Sequence, residues 1–556
     1  MMCLYFGAQK NNSPTWECIH IVFDFKTQMY LNLPSILSFP PHSSQMGELA
    51  QRKILIIDCQ TTGMHPSTGR LLQIGWSIFD PGKIESKIEK WTLKLDEEIP
   101  NKIRKMLQLS ETDLIKSMDP RVIFNKLQKT LKKLGANPIV IAHYAQFEYS
   151  FLKHFYQEHT QTEQLNFQLF CSQKIAKRLL PNLPSHNLKA MAGYLKLENT
   201  PKNEIFSHIK MTRSIWQALI PLLRSQEVTD YKTLSQWLTQ KALPKPSCYE
   251  YNINRLTRLE ISSKPGIYRM LAQDRSVLYI GKATSLKTRV NSYFRGIKNR
   301  DRRKLEMLAQ VWEIETMECD TPLEAALLES EEIKKWNPPY NVLLKADKRT
   351  LIFYNYDYTQ SSKAWDNNFY NGPHRPDDSL SFLLELIDAL KTKRDMPFFE
   401  EAIPYQKMQE AWILFCSLNS LGSLDVQSAS LRHVFVIAYK LLNQFEKIHG
   451  KESFQSWWLQ EKKKNLEKDL NDEEQLAKKL TRIFIRAAES LRKSKQIKRL
   501  YNSSHTICST QKKITLVNGE FDPNPSLKKN NAFEVHHYDR LSILLSAKKN
   551  KLITKE

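Results

Sequence analysis

Two tripeptides pose the first chemical question. Gly266-Ile267-Tyr268 and Tyr279-Ile280-Gly281 are separated by ten residues, and Lys282, Arg289, Glu329 and Asn341 follow. Either tripeptide alone says little, because Gly and Tyr are common at hairpins. The set says more. A helical carboxylate such as Glu329 can bind one hard divalent cation. Arg289, ten residues after Tyr279, can fork onto a phosphate. Tyr268 can accept a proton only if its pKa, about 10 for the free side chain, is lowered, and Lys282 is a candidate for lowering it. A cation opposite developing charge, a phosphate clamp and an activated water are what phosphodiester cleavage needs. Directly after the stretch SLKTRVNSYF that holds Arg289 comes RGIKNRDRRK (295–304), where Arg295, Lys298, Arg300, Arg302, Arg303 and Lys304 form a basic rim. It reads as a phosphate-contacting edge or, alternatively, as a solvated loop.

The set resembles the GIY-YIG nuclease family, in its UvrC and Cho branch, over roughly 262–348. The resemblance implies an endonuclease that makes one incision in DNA during nucleotide excision repair. It implies Mg²⁺ or Mn²⁺ held by Glu329 as the single protein ligand. Tyr268 would be the general base and Tyr279 would position the water or the phosphate. Asn341 would close the site through its amide. Damaged or branched duplex DNA, and a UvrB–DNA complex, are the implied partners.

A second constellation lies upstream. IIDCQTTG (56–63), HYAQFEYSFL (143–152) and SHIKMTRSIWQAL (207–219) resemble, in order and spacing, the DEDDh exonucleases of the polymerase III epsilon type. That family uses four carboxylates and a histidine base to run two metal ions. Here Asp58 and Glu148 keep two of the acidic positions and His208 keeps the base. Gln60 and Arg213 stand where acids are expected, and no Asp occurs from Pro120 to Thr229. With Arg213 in the site the four positions would carry a net −1 instead of −4, too little to hold two divalent ions side by side. Exonuclease activity is expected to be lost or very weak. Arg213 could then take one cation's place and grip a phosphate, or the domain could be a docking remnant.

Alternating strands and helices must position both sets. ILII (54–57), RLLQIGWSIFD (70–80), KWTLKL (90–95) and PIVIAH (138–143) read as strands. VIFNKLQKTLKKL and FEYSFLKHFYQEH read as helices. GIYRML and VLYIG are short strands, SLKTRVNSYF a helix, and 321–336 a helix with Thr321 as N-cap, Pro322 at N1 and Glu324 closing a capping box. The expected architecture is multidomain α/β. It comprises an extension over 1–45 (a misassigned start or a docking segment), an RNase H-like exonuclease fold over 46–240, a linker near 240–247 and a small α/β nuclease over 258–347. A mainly helical, basic region, with an Asn-Gly hairpin in ITLVNGEF (514–521), follows over 348–556. That region carries no motif with chemistry. It presents either a basic face for DNA or a solvated surface.

Composition bounds the rest. The 556 residues include 82 Lys and Arg against 59 acids, a formal net charge of +23, which favours a polyanionic partner. Only 15 glycines exclude collagen-like chains. No apolar run suffices for a membrane span. The eight cysteines form no CxxC pair, so reduced thiols and a cytoplasmic location are expected. The alternatives to the endonuclease are an epsilon-like 3′–5′ exonuclease and a non-catalytic DNA-binding adaptor.

Overall fold

The computed structural model describes residues 47–555 except 84–85, 108, 161, 163, 198–203, 242–247, 297–300, 343, 345–349, 377, 399–400, 423–424, 451–453, 464–470 and 523–532. The expected N-terminal extension and most of the expected linker lie outside the described residues. The chain divides into two compact units, 1–246 and 247–556.

The first unit is built on β1 (Ile54–Thr61), every residue of which is buried. β2 (Leu71–Phe79) pairs with it antiparallel, placing Asp58 beside Gly75 and Ile54 beside Phe79. β3 (Ile88–Thr92) extends that side. α1 (Pro120–Lys132) starts on an Asp119 cap with Pro120 in its first turn. β4 (Ile139–Ala142) then runs parallel to β1, followed by α2 (Ala145–Thr160), β5 (Gln168–Cys171), α3 (Ser172–Leu179) and α4 (Ile205–Arg224). The strand order β3-β2-β1-β4-β5 is the RNase H-like arrangement expected.

β1 reads as a continuous apolar run because both its faces are covered. Ile54 and Ile56 pack in one core with Ile205, Ile209 and Trp216 of α4. Leu55 and Ile57 pack in the other with residues of α1 and α2. The period of two therefore puts Asp58 and Gln60 on the α4 side.

The second unit opens with β6 (Gly266–Leu271) and β7 (Val277–Ala283), then α5 (Leu286–Ser292), α6 (Arg302–Gln310), β8 (Glu313–Glu318) and α7 (Pro322–Trp336). The sheet is antiparallel in the order β7-β6-β8. α7 begins as its sequence predicts. Thr321 accepts from the Glu324 amide, Glu324 answers to the Thr321 amide, and Pro322 takes the first turn.

Beyond it lie helices over 379–392 (α8), 405–418 (α9), 431–449 (α10), 454–463 (α11) and 472–500 (α12), packed around Trp412, Phe415 and Phe484. The chain then leaves the helical pattern. β9 (Ser503–Ile507), β10 (Lys513–Val517), β11 (Glu520–Asp522), α13 (Val535–Lys549) and β12 (Ile553–Lys555) form a four-stranded sheet with one helix. Asn518 and Gly519 both take positive φ, 53° and 78°, as a two-residue hairpin turn of this kind demands. One apolar core joins this sheet and α13 to Leu323 and Leu327 on α7. The nuclease-like segment and the C-terminal region therefore share a compact unit.

Candidate functional site

Three tyrosines form the floor of the site in the second unit. Tyr268 on β6, Tyr279 on β7 and Tyr293 just after α5 stand with ring centroids 6.0–6.2 Å apart. Tyr268 is fully buried, and its hydroxyl lies 2.8 Å from that of Tyr293. The register pairs Tyr268 with Gly281. A Cβ at Gly281 would collide with the Tyr268 hydroxyl and with the Tyr279 ring, so the last glycine of the second tripeptide is a steric requirement. Arg289 lies on α5 with its guanidinium 5.3 Å from the Tyr293 ring. It also contacts the Tyr268 hydroxyl, and Tyr268, Tyr293 and Tyr279 together hold it above its ordinary pKa against the opposing effect of burial.

Glu329, only 9% exposed, projects from the middle of α7 toward β7. Its Oε1 accepts from the Lys282 amide at 3.0 Å and its Oε2 from Lys282 Nζ at 2.7 Å. The expectation that Lys282 lowers Tyr268 is thus corrected: its ammonium is spent on Glu329. Burial pushes the Tyr268 hydroxyl far up, neighbouring tyrosines push it further, and Arg289 only partly offsets this. Tyr279 is raised for the same leading reason, burial. Both are neutral phenols at physiological pH.

Asn341 does something more specific than face a substrate. Its Oδ1 accepts from the Ile280 amide at 3.0 Å, and its Nδ2 donates to the Ile280 carbonyl at 2.9 Å. β7 is an edge strand, and this amide completes the backbone pairing of the residue between Tyr279 and Gly281. The basic rim divides. Lys298 and Arg300 lie outside the described residues. Arg295, Arg302 and Lys304 are exposed, the last two in the first turn of α6. Arg303 is fastened, donating to the Pro339 carbonyl at 2.8 Å with its guanidinium 5.8 Å from the Tyr340 ring. It braces the segment that carries Asn341.

Sequence reasoning overlooked Tyr293. The signal was its place four residues after Arg289 on the same helical stripe, which puts the two side chains together.

In the first unit, His208 Nδ1 lies 3.2 Å from Asp58 Oδ2. Burial opposes charging His208, but the Asp58 bond prevails and raises its pKa. Glu148, in the first turn of α2, is raised well above the carboxylate range by burial and then by the charge of Asp58. Gln60 follows two residues along β1, also buried. Arg213 is not brought to this group. Its guanidinium lies 5.5 Å from the Phe79 ring and donates to the Lys83 carbonyl at 2.9 Å. Phe79 pairs with Ile54, four strand residues from Asp58, or about 13 Å. The position of the missing acid is therefore vacated rather than filled by a cation. The local charge is at most the −2 of Asp58 and Glu148, still half of what two metals require.

A family model for the UvrC-like GIY-YIG domain matches residues 264–342, and one for an exonuclease matches 55–208. Among curated relatives, UvrABC system protein C of Psychrobacter sp. (strain PRwf-1) is 43% identical over 118 residues, 21% of this chain and 18% of that protein. The protein of the same name from Clostridioides difficile (strain 630) is 34% identical over 137 residues, 23% of each. The chain thus spans about a fifth of the length of these relatives. Among solved structures, the GIY-YIG N-terminal endonuclease domain of UvrC from Thermotoga maritima, bound to magnesium as its catalytic divalent cation, is 32% identical. That match covers 16% of this chain and 94% of that one, with a TM-score of 0.15. Exonuclease X in complex with 5′ overhanging duplex DNA is 16% identical over 31% of this chain and 93% of that one, with a TM-score of 0.23. The tyrosine triad, the Lys282–Glu329 pair and the RNase H-like sheet fall within the matched segments, and the chain carries a UvrC-like GIY-YIG domain joined to an exonuclease domain.

Proposed function

We propose that this protein is a DNA endonuclease of the UvrC type that makes a single incision in damaged or branched duplexes during excision repair. The observation that carries the reading is the convergence of Glu329, Lys282, Arg289 and three tyrosines at the β7 edge of a small sheet. Glu329 fits a divalent cation: it is a largely buried, hard oxygen ligand already paired with a positive charge, the Lys282 ammonium. Mg²⁺ or Mn²⁺ bound there would supply Lewis-acid stabilisation to a scissile phosphate.

The chain's own groups do the remainder. Arg289, its guanidinium 5.3 Å from the Tyr293 ring, clamps a phosphate. Tyr268, a buried neutral phenol, exchanges a hydrogen bond with Tyr293 and accepts one from Arg289, so it holds the phosphate clamp in place rather than taking a proton at neutral pH. Lys282, held beside Glu329, supplies a positive charge that would reach the leaving group or the phosphate. Asn341 positions Tyr279 through Ile280. Arg295, Arg302 and Lys304 contact the backbone of the duplex without reading sequence. A UvrB–DNA complex is the partner this reading assigns, and the cytoplasm is the location it implies. No described helix is long and apolar enough to cross a membrane. The exonuclease domain, with two carboxylates instead of four, does not cut.

The test is a Mg²⁺-dependent cleavage assay on damaged, undamaged and branched duplexes, comparing wild type with Glu329→Ala. Nicking by wild type that the variant lacks supports the reading. Equal nicking by both overturns it.

A further inference from the structure

The segment that follows α7 is held from two sides. It leaves the helix at Asn337, whose φ of 43° turns the chain, and Pro338 and Pro339 then fix two successive φ angles. Tyr340 and Asn341 come next, and their side chains go to different elements. Asn341 pairs with both backbone groups of Ile280, and the Tyr340 amide donates to the Leu278 carbonyl at 3.1 Å. Leu278 and Ile280 flank Tyr279 in β7, so the segment fixes the strand on both sides of a site tyrosine.

The Tyr340 phenol goes instead to α6. It donates to Glu306 Oε1 at 2.6 Å and accepts from Gln310 Nε2, also at 2.6 Å. Gln310 is 1% exposed, and the same Nε2 donates to the Glu306 carbonyl one turn back at 2.9 Å. Arg303, Glu306 and Gln310 recur at intervals of three and four, so they share one face of this nine-residue helix. Arg302 and Lys304, in its first turn, are exposed. Burial, and after it the Glu306 charge, push the Tyr340 phenol up, so at physiological pH it keeps its proton and donates. A hydroxyl that both donates and accepts is fixed in orientation. Packing alone would need the ring and not the hydroxyl.

We propose that Tyr340 is a positioning residue for the nuclease site: its phenol, gripped by Glu306 and Gln310, sets Asn341 against Ile280 and so places Tyr279. The role rests on the endonuclease reading of this site and extends it to the helix that carries the basic rim. The turn that meets the duplex and the socket that aligns β7 are parts of one rod.

The experiment uses the full chain and the damaged and branched duplexes, with single-turnover nicking at saturating protein in Mg²⁺ and duplex affinity in EDTA. Hydrogen exchange of the DNA-free protein, read by mass spectrometry, adds a measurement independent of cleavage. Tyr340→Phe should lower the rate about tenfold with affinity within about twofold, and should speed amide exchange over 277–283 but not over 266–271. Glu306→Leu should do the same, whereas Glu306→Gln, which keeps an oxygen for the phenol, should recover most of the rate. The double variant Tyr340→Phe with Glu306→Leu should be no slower than either single change. An unchanged rate, a rate loss matched by an affinity loss, unchanged exchange over 277–283, or additive losses in the double variant would each overturn the proposal. Absence of nicking by wild type would overturn the endonuclease reading instead, and exchange over 277–283 would then decide whether Tyr340 sets β7.

Discussion

Both oxygens of Glu329 are engaged by one residue: Lys282 gives its amide to Oε1 at 3.0 Å and its ammonium to Oε2 at 2.7 Å. The contact through Nζ is half exposed on the lysine side, so it is worth no more than about 1 kcal/mol and can be broken. A divalent cation held by Glu329 would share the carboxylate with this ammonium, and the two positive charges oppose each other. Lys282→Met should therefore tighten Mn²⁺ binding to the DNA-free protein about three- to tenfold, while nicking falls. Electron paramagnetic resonance titration of Mn²⁺ reads the first quantity. Unchanged or weaker binding would mean that the ammonium does not compete for the carboxylate.

Glu329→Gln and Arg289→Ala should each reduce nicking by about a thousandfold or more, the scale of losing a charge that acts on a transition state, with duplex affinity nearly unchanged. Single-turnover rates and equilibrium binding, measured on the same duplex, separate the two effects. Wild-type nicking by either variant would sink the assignment.

Tyr268→Phe removes the hydrogen bond to Tyr293 from a closed interior and should cost about 1–2 kcal/mol at pH 8. The sign of its pH dependence follows from burial. The folded pKa lies above the unfolded value of about 10, so the phenol's stabilising share is complete below pH 10 and is lost as pH rises beyond it. The stability gap between wild type and Tyr268→Phe should therefore narrow by about 1.4 kcal/mol per pH unit above pH 10. Urea melts at pH 8, 10 and 11 check this, and a gap that widens would contradict the buried neutral phenol.

In the exonuclease domain, full-length protein carrying Glu329→Gln should show no 3′ digestion of single strands in Mg²⁺ or Mn²⁺. The double change Gln60→Glu with Arg213→Asp should fail to restore it. Residue 213 directs its side chain at Phe79 and at the Lys83 carbonyl, so an acid there starts turned away from Asp58. Robust digestion by the double variant would show that α4 can turn its acid into the site.

The basic rim should split in two. Arg302→Glu with Lys304→Glu should weaken all duplexes alike and flatten the salt dependence, because phosphate contacts carry no sequence information. Arg303→Ala should instead lower thermal stability and cleavage with little change in salt slope, since it holds Pro339 and through it Asn341. Identical behaviour of the two variants would refute that division.

What the sequence made legible is instructive at the level of single residues. β1 announced itself through the four apolar residues 54–57, apolar because both faces of the strand are covered, while its polar second half, 58–61, is equally buried. α7 announced its start through Thr321, Pro322 and Glu324, whose interactions are local and need no tertiary partner. The hairpin at Asn518-Gly519 was equally local. The errors were all of longer range. Lys282 was a candidate for lowering Tyr268, but its ammonium pairs with Glu329, 47 residues along the chain. Arg213 was placed in the acidic site by spacing along the chain, and only the tilt of α4 across the sheet shows where its guanidinium goes. The sheet of 503–555 escaped notice except at its one tight turn, because its strands run only three to five residues and a helix interrupts them.

The helix that carries Glu329 has two owners. One side of α7 lies on the nuclease sheet. The other is claimed by the chain's last 60 residues, through Leu323 and Leu327 in the shared core and through Lys334 to Asp539 and Glu331 to Arg540 at 3.0 and 3.1 Å. Cutting the gene after residue 347 would keep every residue of the nuclease-like site and still leave an apolar flank facing water. Such a piece should clump or pair with itself, so the smallest part of this protein fit for separate preparation reaches to its final strand, and the nuclease here is not an interchangeable cassette.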